Sequence, residues 1–112
     1  MKYIVVPISV IAMRRLDYDR ADSAELKKVT LSDDEFLHLE QAGVFEEINS
    51  KLNAWIADYE DAQIVGAVAL KKLCEILAAR ISNAKGDTGA LEKLQGLATL
   101  AHAKRTGVFF YF

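Results

Sequence analysis

Apolar residues dominate Tyr3 to Met13 (YIVVPISVIAM), a Val- and Ile-rich run that reads as a strand buried on both faces for much of its length. Pro7 removes one ladder donor, so one side of that strand is expected to be an edge or a bulge nearby. Leu16 to Ala24 is polar and turn-like, and Leu26 to Leu31 alternates as a short second strand with Val29 and Leu31 on one face. Ser32, followed by Asp33, Asp34 and Glu35, has the form of a capping box. The hydroxyl accepts from the backbone N–H three residues on, and Glu35 reaches back. That helix is expected to run to about Ala42 and stop at Gly43.

A second helix is predicted from about Val44 to Ala57, because Phe45, Ile48, Leu52, Trp55 and Ile56 share one face at the 3.6-residue period. Asp58 to Asp61 interrupts the pattern, and a third helix is expected over roughly Glu60 to Ser82. Its first half is apolar nearly all round, which makes it the central helix, with Trp55 packing near Ile64 and Val68. Asn83 to Gly89 is a loop, Ala90 to Arg105 a fourth helix, and Val108 to Phe112 a terminal strand after Gly107. So few strands need helices to cover them. The expected fold is therefore a single α+β domain over residues 1–112. A small two- or three-stranded sheet, its N-terminal strand pairing with the C-terminal strand, lies under about four helices.

Composition narrows the class. Of 112 residues, 52% are hydrophobic and 27% charged, which supplies a core and excludes a disordered chain. One Cys excludes an intrachain disulfide and a cysteine-based zinc site, and a net charge of −2 excludes a globally basic, phosphate-tracking protein. The apolar N-terminal run is followed by Arg14 and Arg15, the wrong polarity for a signal peptide, and falls short of the ~20 residues that span a bilayer. With a lone thiol, this leads to an expected cytoplasmic location and no membrane partner.

Candidate chemistry is sparse. His38 points away from Phe36 on its helix, His102 lies at the margin of an apolar stripe, and neither has the convergent ligands a metal needs. Cys74, beside Leu73 and near Leu77, reads as a small hydrophobe. Asp17 to Asp22 lacks the Gly and the bidentate Glu of a calcium loop. Gly86-Asp-Thr-Gly89 lacks the Walker Lys-Ser/Thr, and Asp87 or Thr88 explains it as a helix cap. No catalytic constellation is legible, so the expectation is a protein with no enzymatic activity, no cofactor and no metal.

The charge map says more. Residues 32–61 hold nine acids and one base (Lys51), whereas residues 1–31 and 62–112 are each net positive. Acids favour N-terminal helix turns and some of these simply form a solvated face. A surface helix nonetheless usually mixes signs, since Glu and Lys four apart support it. A field of one sign steers a protein onto a basic partner. The partner-binding candidates are therefore Asp33, Asp34, Glu46, Glu47, Asp58, Glu60 and Asp61.

A short β N-terminus, the L-S-D-D-E-F helix start (Leu31 to Phe36), the acidic D-Y-E-D junction (Asp58 to Asp61) and the closing T-G-V-F-F-Y-F strand (Thr106 to Phe112) together resemble small bacterial immunity proteins of contact-dependent and other polymorphic toxin systems. The resemblance implies a non-catalytic protein that neutralises a cognate basic toxin or effector domain, a nuclease for example, and does not itself bind nucleic acid. Two other classes fit the same residues. One is a homo-oligomeric adaptor whose aromatic C-terminal strand pairs with its own copy, and the other is a phage-type inhibitor whose acidic face mimics nucleic acid. The free protein is expected to be a monomer or a homodimer.

Overall fold

Four antiparallel strands form one sheet in the order β2-β1-β4-β3, with β1 at Lys2–Pro7, β2 at Leu26–Leu31, β3 at Asp61–Val65 and β4 at Gly107–Tyr111. The structure is a computed structural model and describes residues 2–112. β1 pairs with β2 from Lys2 opposite Leu31 to Pro7 opposite Leu26, and with β4 from Tyr3 opposite Tyr111 to Val5 opposite Phe109. The terminal strand therefore lies beside the first, as the aromatic C-terminus implied. At Pro7 the β4 ladder has already ended, and the buried Thr106 hydroxyl donates to the Pro7 carbonyl at 2.8 Å.

Side chains alternate across the sheet. Ile4, Val6, Val29, Leu31, Ile64, Val108 and Phe110 face the main core, which the helices α2 (Asp33–Gln41), α3 (Val44–Leu52), α4 (Ala67–Asn83) and α5 (Gly89–Lys104) complete. Tyr3, Val5, Phe109 and Tyr111 face the other way, with the Tyr3 and Tyr111 rings stacked at 5.1 Å. α1 (Val10–Asp17) packs on β1 on that second face and buries Ala12. The α+β class holds, with a sheet of four strands and five α-helices among the described residues.

Three segments depart from the sequence expectation. The apolar run Tyr3 to Met13 is divided: β1 stops at Pro7, and Ser9, extended at φ −155°, caps α1 by accepting from the Ala12 N–H at 3.0 Å. Val10 and Ile11 thus stand on a helix, not in a strand. The second helix ends at Leu52 instead of Ala57, because Asn53 takes the left-handed conformation (φ 56°) that Asn tolerates at a helix C-terminus. The supposed start of the third helix is β3. Its residues add to the free edge of β4, and Gly66, at φ +104°, turns the chain into α4.

These shifts move the aromatic residues. Trp55, expected in the core against Val68, lies beyond the true end of α3, and both side chains are exposed; Ile56 and Ile64 are the buried ones. β4 is hydrogen-bonded on both sides, so it has no free edge with which to pair its own copy.

Candidate acidic interface

The acidic segment is carried by α2, α3, the loop 53–60 and the start of β3. Ser32 Oγ accepts from the Glu35 N–H at 3.1 Å and the Glu35 carboxylate accepts from the Ser32 N–H at 2.9 Å. This reciprocal cap fixes the helix start, and burial of Phe36 and Leu39 fixes its rotation. Asp33, Asp34, Leu37, His38 and Glu40 are consequently turned outward. Gly43 (φ 77°) links α2 to α3, where burial of Val44, Phe45 and Ile48 leaves Glu46 exposed.

Ion pairs sort the carboxylates. Glu35 meets Lys93 of α5 at 2.7 Å, and Glu47 meets Lys51 and Arg80 at 2.6 Å each. Asp58 pairs with Lys2. Hydrogen bonding from Lys93 first, and from the Ser32 N–H, holds the Glu35 carboxyl below its usual range; Lys51 and then Arg80 do the same for Glu47. The bond to Asp58 raises the Lys2 ammonium, and Tyr59 and Asp33 add to it. The N-terminus of α2 and the loop 53–60 therefore meet around Lys2, whose Nζ also sits 4.6 Å over the Phe36 ring.

Of the seven candidates, Glu47 and Asp58 are engaged within the protein. Asp33, Asp34, Glu46, Glu60 and Asp61 have no cation within ion-pair distance among the described residues, and neither does Glu40. Asp61 stands apart from the others. It is opposite Tyr111 in the ladder and so lies on the α1 side of the sheet, where its charge, after burial, helps push the Tyr111 phenol up.

The sequence reading missed the aromatic part of this surface. Asn49 Oδ1 accepts from the Ile56 N–H at 2.8 Å, and Asn49 Nδ2 donates to the Ile56 carbonyl at 2.9 Å. With the Ile56 side chain buried, this clamp holds the loop while Trp55 (84% exposed) and Tyr59 (89% exposed) project into water. Tyr59 is left-handed (φ 64°), and Lys2 Nζ lies 5.4 Å from its ring. Asn53, with the polar D-Y-E-D stretch from Asp58 to Asp61 one turn further on, was the available signal that the helix had ended.

Other features hold no comparable arrangement. His38 and His102 are exposed and Cys74 is half-buried. Among the described residues, no three His, Cys, Asp or Glu side chains gather as metal ligands would. Asp87, not Thr88, provides the side-chain contact at the start of α5, accepting from the Gly89 N–H at 2.8 Å. A cleft of about 470 Å³ is bordered by His38, Glu47, Arg80 and Asp87, but the Arg80 guanidinium already donates to Glu47 and to the Ala42 and Gly43 carbonyls. No described helix is long and apolar enough to cross a membrane.

No protein-family model and no curated protein matches this chain. Among solved structures, it is similar to the Neisseria DNA mimic protein DMP12, with a TM-score of 0.65 and 13% identity over 100% of both chains. At that identity the likeness shows a shared fold. The partner expected from sequence, a cognate toxin or effector domain such as a nuclease with no direct nucleic acid, is corrected by this finding, because the similar protein is named a DNA mimic.

Proposed function

We propose that this protein is itself a DNA mimic, a non-catalytic binder whose acidic surface occupies the phosphate-contacting site of a DNA-binding protein. The observation that carries the reading is the set of exposed carboxylates that meet no cation at ion-pair distance among the described residues, Asp33, Asp34 and Glu40 on α2, Glu46 on α3, and Glu60 at the loop's end. Asp33 and Glu40 are seven residues apart, about 10 Å along a helix axis, so their charges lie in a row on one helix. A surface that neutralises DNA-contacting Lys and Arg would bind with the same dependence on salt that DNA shows. The exposed Trp55 and Tyr59 add the side-chain types that dominate interface energetics, so the surface offers more than charge. The shared fold with a DNA mimic supports the same reading.

The test uses the immobilised protein on a nucleoid extract from its own cells. It should retain DNA-binding proteins and release them to added duplex DNA. Each purified candidate should then lose a fluorescent 20-base-pair duplex as this protein is added. Replacing Glu40, Glu46 and Glu60 together by Lys should abolish that competition. Retained proteins that hold the duplex and this protein simultaneously would refute the mimicry.

A further inference from the structure

We propose that α1 and its flanking turn form a basic, apolar seat for α2 of a second copy of this protein, so that the chain associates head to tail. The helix contributes little to its own core, burying only Ala12. Ile11 is 63% exposed and Tyr18 is 72% exposed, with Ile8 and Val10 also in water. Around Ile11 and Tyr18 lies an open depression of about 520 Å³ walled by Arg14, Arg15 and Arg20. Arg15 is held by Glu25 at 2.8 Å, whereas Arg14 and Arg20 meet no carboxylate among the described residues. Apolar side chains framed by unspent guanidinium groups suit an acidic amphipathic helix better than a neutral surface.

The molecule carries such a helix. On α2, Asp33, Leu37 and Glu40 follow at the spacing that stacks side chains on one helical face, and Leu37 is 48% exposed. Leu37 would enter the depression against Ile11 and Tyr18, leaving Asp33 and Glu40 to meet Arg14 and Arg20. The two surfaces lie on opposite sides of the sheet, since Phe36 and Leu39 of α2 join the main core and α1 covers the other face. A pair of copies cannot then exchange both contacts about a two-fold axis, and the contact is heterologous, building a ring or an open chain of copies. Each contact would cover the α2 carboxylates, so self-association and engagement of a DNA-binding protein would exclude each other. The inference stands without that function, because both surfaces belong to this chain.

Sedimentation velocity on the purified protein tests it. In ~20 mM salt the weight-average sedimentation coefficient should rise steadily with concentration and fall back toward the monomer value at ~0.5 M, where screening is within a few ångströms. The Arg14→Glu/Arg20→Glu variant and the Asp33→Lys/Glu40→Lys variant should each remain monomeric, while circular dichroism melts confirm that both fold. Their equimolar mixture should associate again, because every seat then faces a helix of opposite charge. A wild-type protein that stays monomeric at ~1 mM in low salt overturns the proposal, and binding of α1 to duplex DNA or anionic vesicles in that buffer would assign the seat to those instead. Association that persists in both reversal variants, or is not restored on mixing, also overturns it.

Discussion

Replacing Asn49 by Ala removes the clamp that holds the Trp55–Tyr59 loop, and its effect follows from the geometry. The side chain makes two hydrogen bonds to the backbone of one residue, 2.8 Å to the Ile56 N–H and 2.9 Å to its carbonyl. The two bonds are part-buried and the Ile56 side chain is buried, so the freed backbone groups are fully hydrated only if the loop lifts away from α3 and exposes that side chain. A hydrogen bond contributes roughly 0.5–1.5 kcal/mol net, and a buried polar group left unpaired loses about 1–3 kcal/mol. With two groups affected and some relief by loop movement, Asn49→Ala should destabilise the protein by about 2–3 kcal/mol. For a domain of this size that is on the order of 10 °C in melting temperature. Urea unfolding followed by far-UV circular dichroism measures the loss, and hydrogen exchange at the Ile56 amide locates it. The variant should lose protection at Ile56 while the β1–β4 amides keep theirs relative to global stability. An unfolding midpoint and an Ile56 exchange rate both equal to wild type would refute the clamp.

The other predictions concern single contacts. Arg80 ties α4 to the α2–α3 junction through Nε to Glu47 (2.6 Å), Nη1 to the Ala42 carbonyl (2.6 Å) and Nη2 to the Gly43 carbonyl (3.2 Å). Arg80→Lys should recover only part of the stability lost in Arg80→Ala, about 1–3 kcal/mol by thermal melting, because an ammonium cannot reproduce the fork. Gly107→Ala would place a Cβ 2.7 Å from Val65 Cγ2 and 2.9 Å from the Ile64 carbonyl oxygen, wedging β3 from β4. Chemical denaturation should show about 1–3 kcal/mol lost to that overpacking. Glu35 and Glu47 have folded pKa values below the unfolded carboxyl, so their contribution is complete above the unfolded value, about pH 4.3, and is lost as pH falls through the folded values. A melting-temperature series against pH should drop below ~4.3 in wild type and drop less steeply in Glu35→Gln/Glu47→Gln.

Legibility in the sequence followed the range of the forces involved. The Ser32 cap and the apolar faces of α2 and α5 depend on residues within a turn or two of one another, and the chain shows them directly. By contrast, α5 stops at a left-handed Arg105 (φ 58°), and Gly107, the expected stop, opens β4. The concentration of acids in residues 32–61 is likewise a property of composition and position. The errors arose where one local pattern served two structures. Val10 and Ile11 favour a strand by type, but the Ile8 N–H, donating to the Glu25 carbonyl at 3.0 Å, makes the last bond to the β2 side, and the Ser9 cap makes a helix the better use of their backbone groups. Asp61 to Val65 fits either an apolar helix or an alternating strand, and the unpaired side of β4, more than forty residues later, supplies the hydrogen bonds that decide it.

The candidate interface divides in the same way. The sequence by itself determined which residues carry negative charge and that α2 and α3 present them outward. Only the tertiary structure decided which of those charges remain available. Lys2 reaches Asp58, Lys93 reaches Glu35 and Arg80 reaches Glu47 across separations of 56, 58 and 33 residues. It also decided that Trp55 is a surface aromatic, because the helical period that would have buried it ends at Asn53. Helix periodicity and capping depend on neighbours in the chain. Charge pairing and strand addition depend on groups brought together by folding, and one linear sequence does not order those encounters.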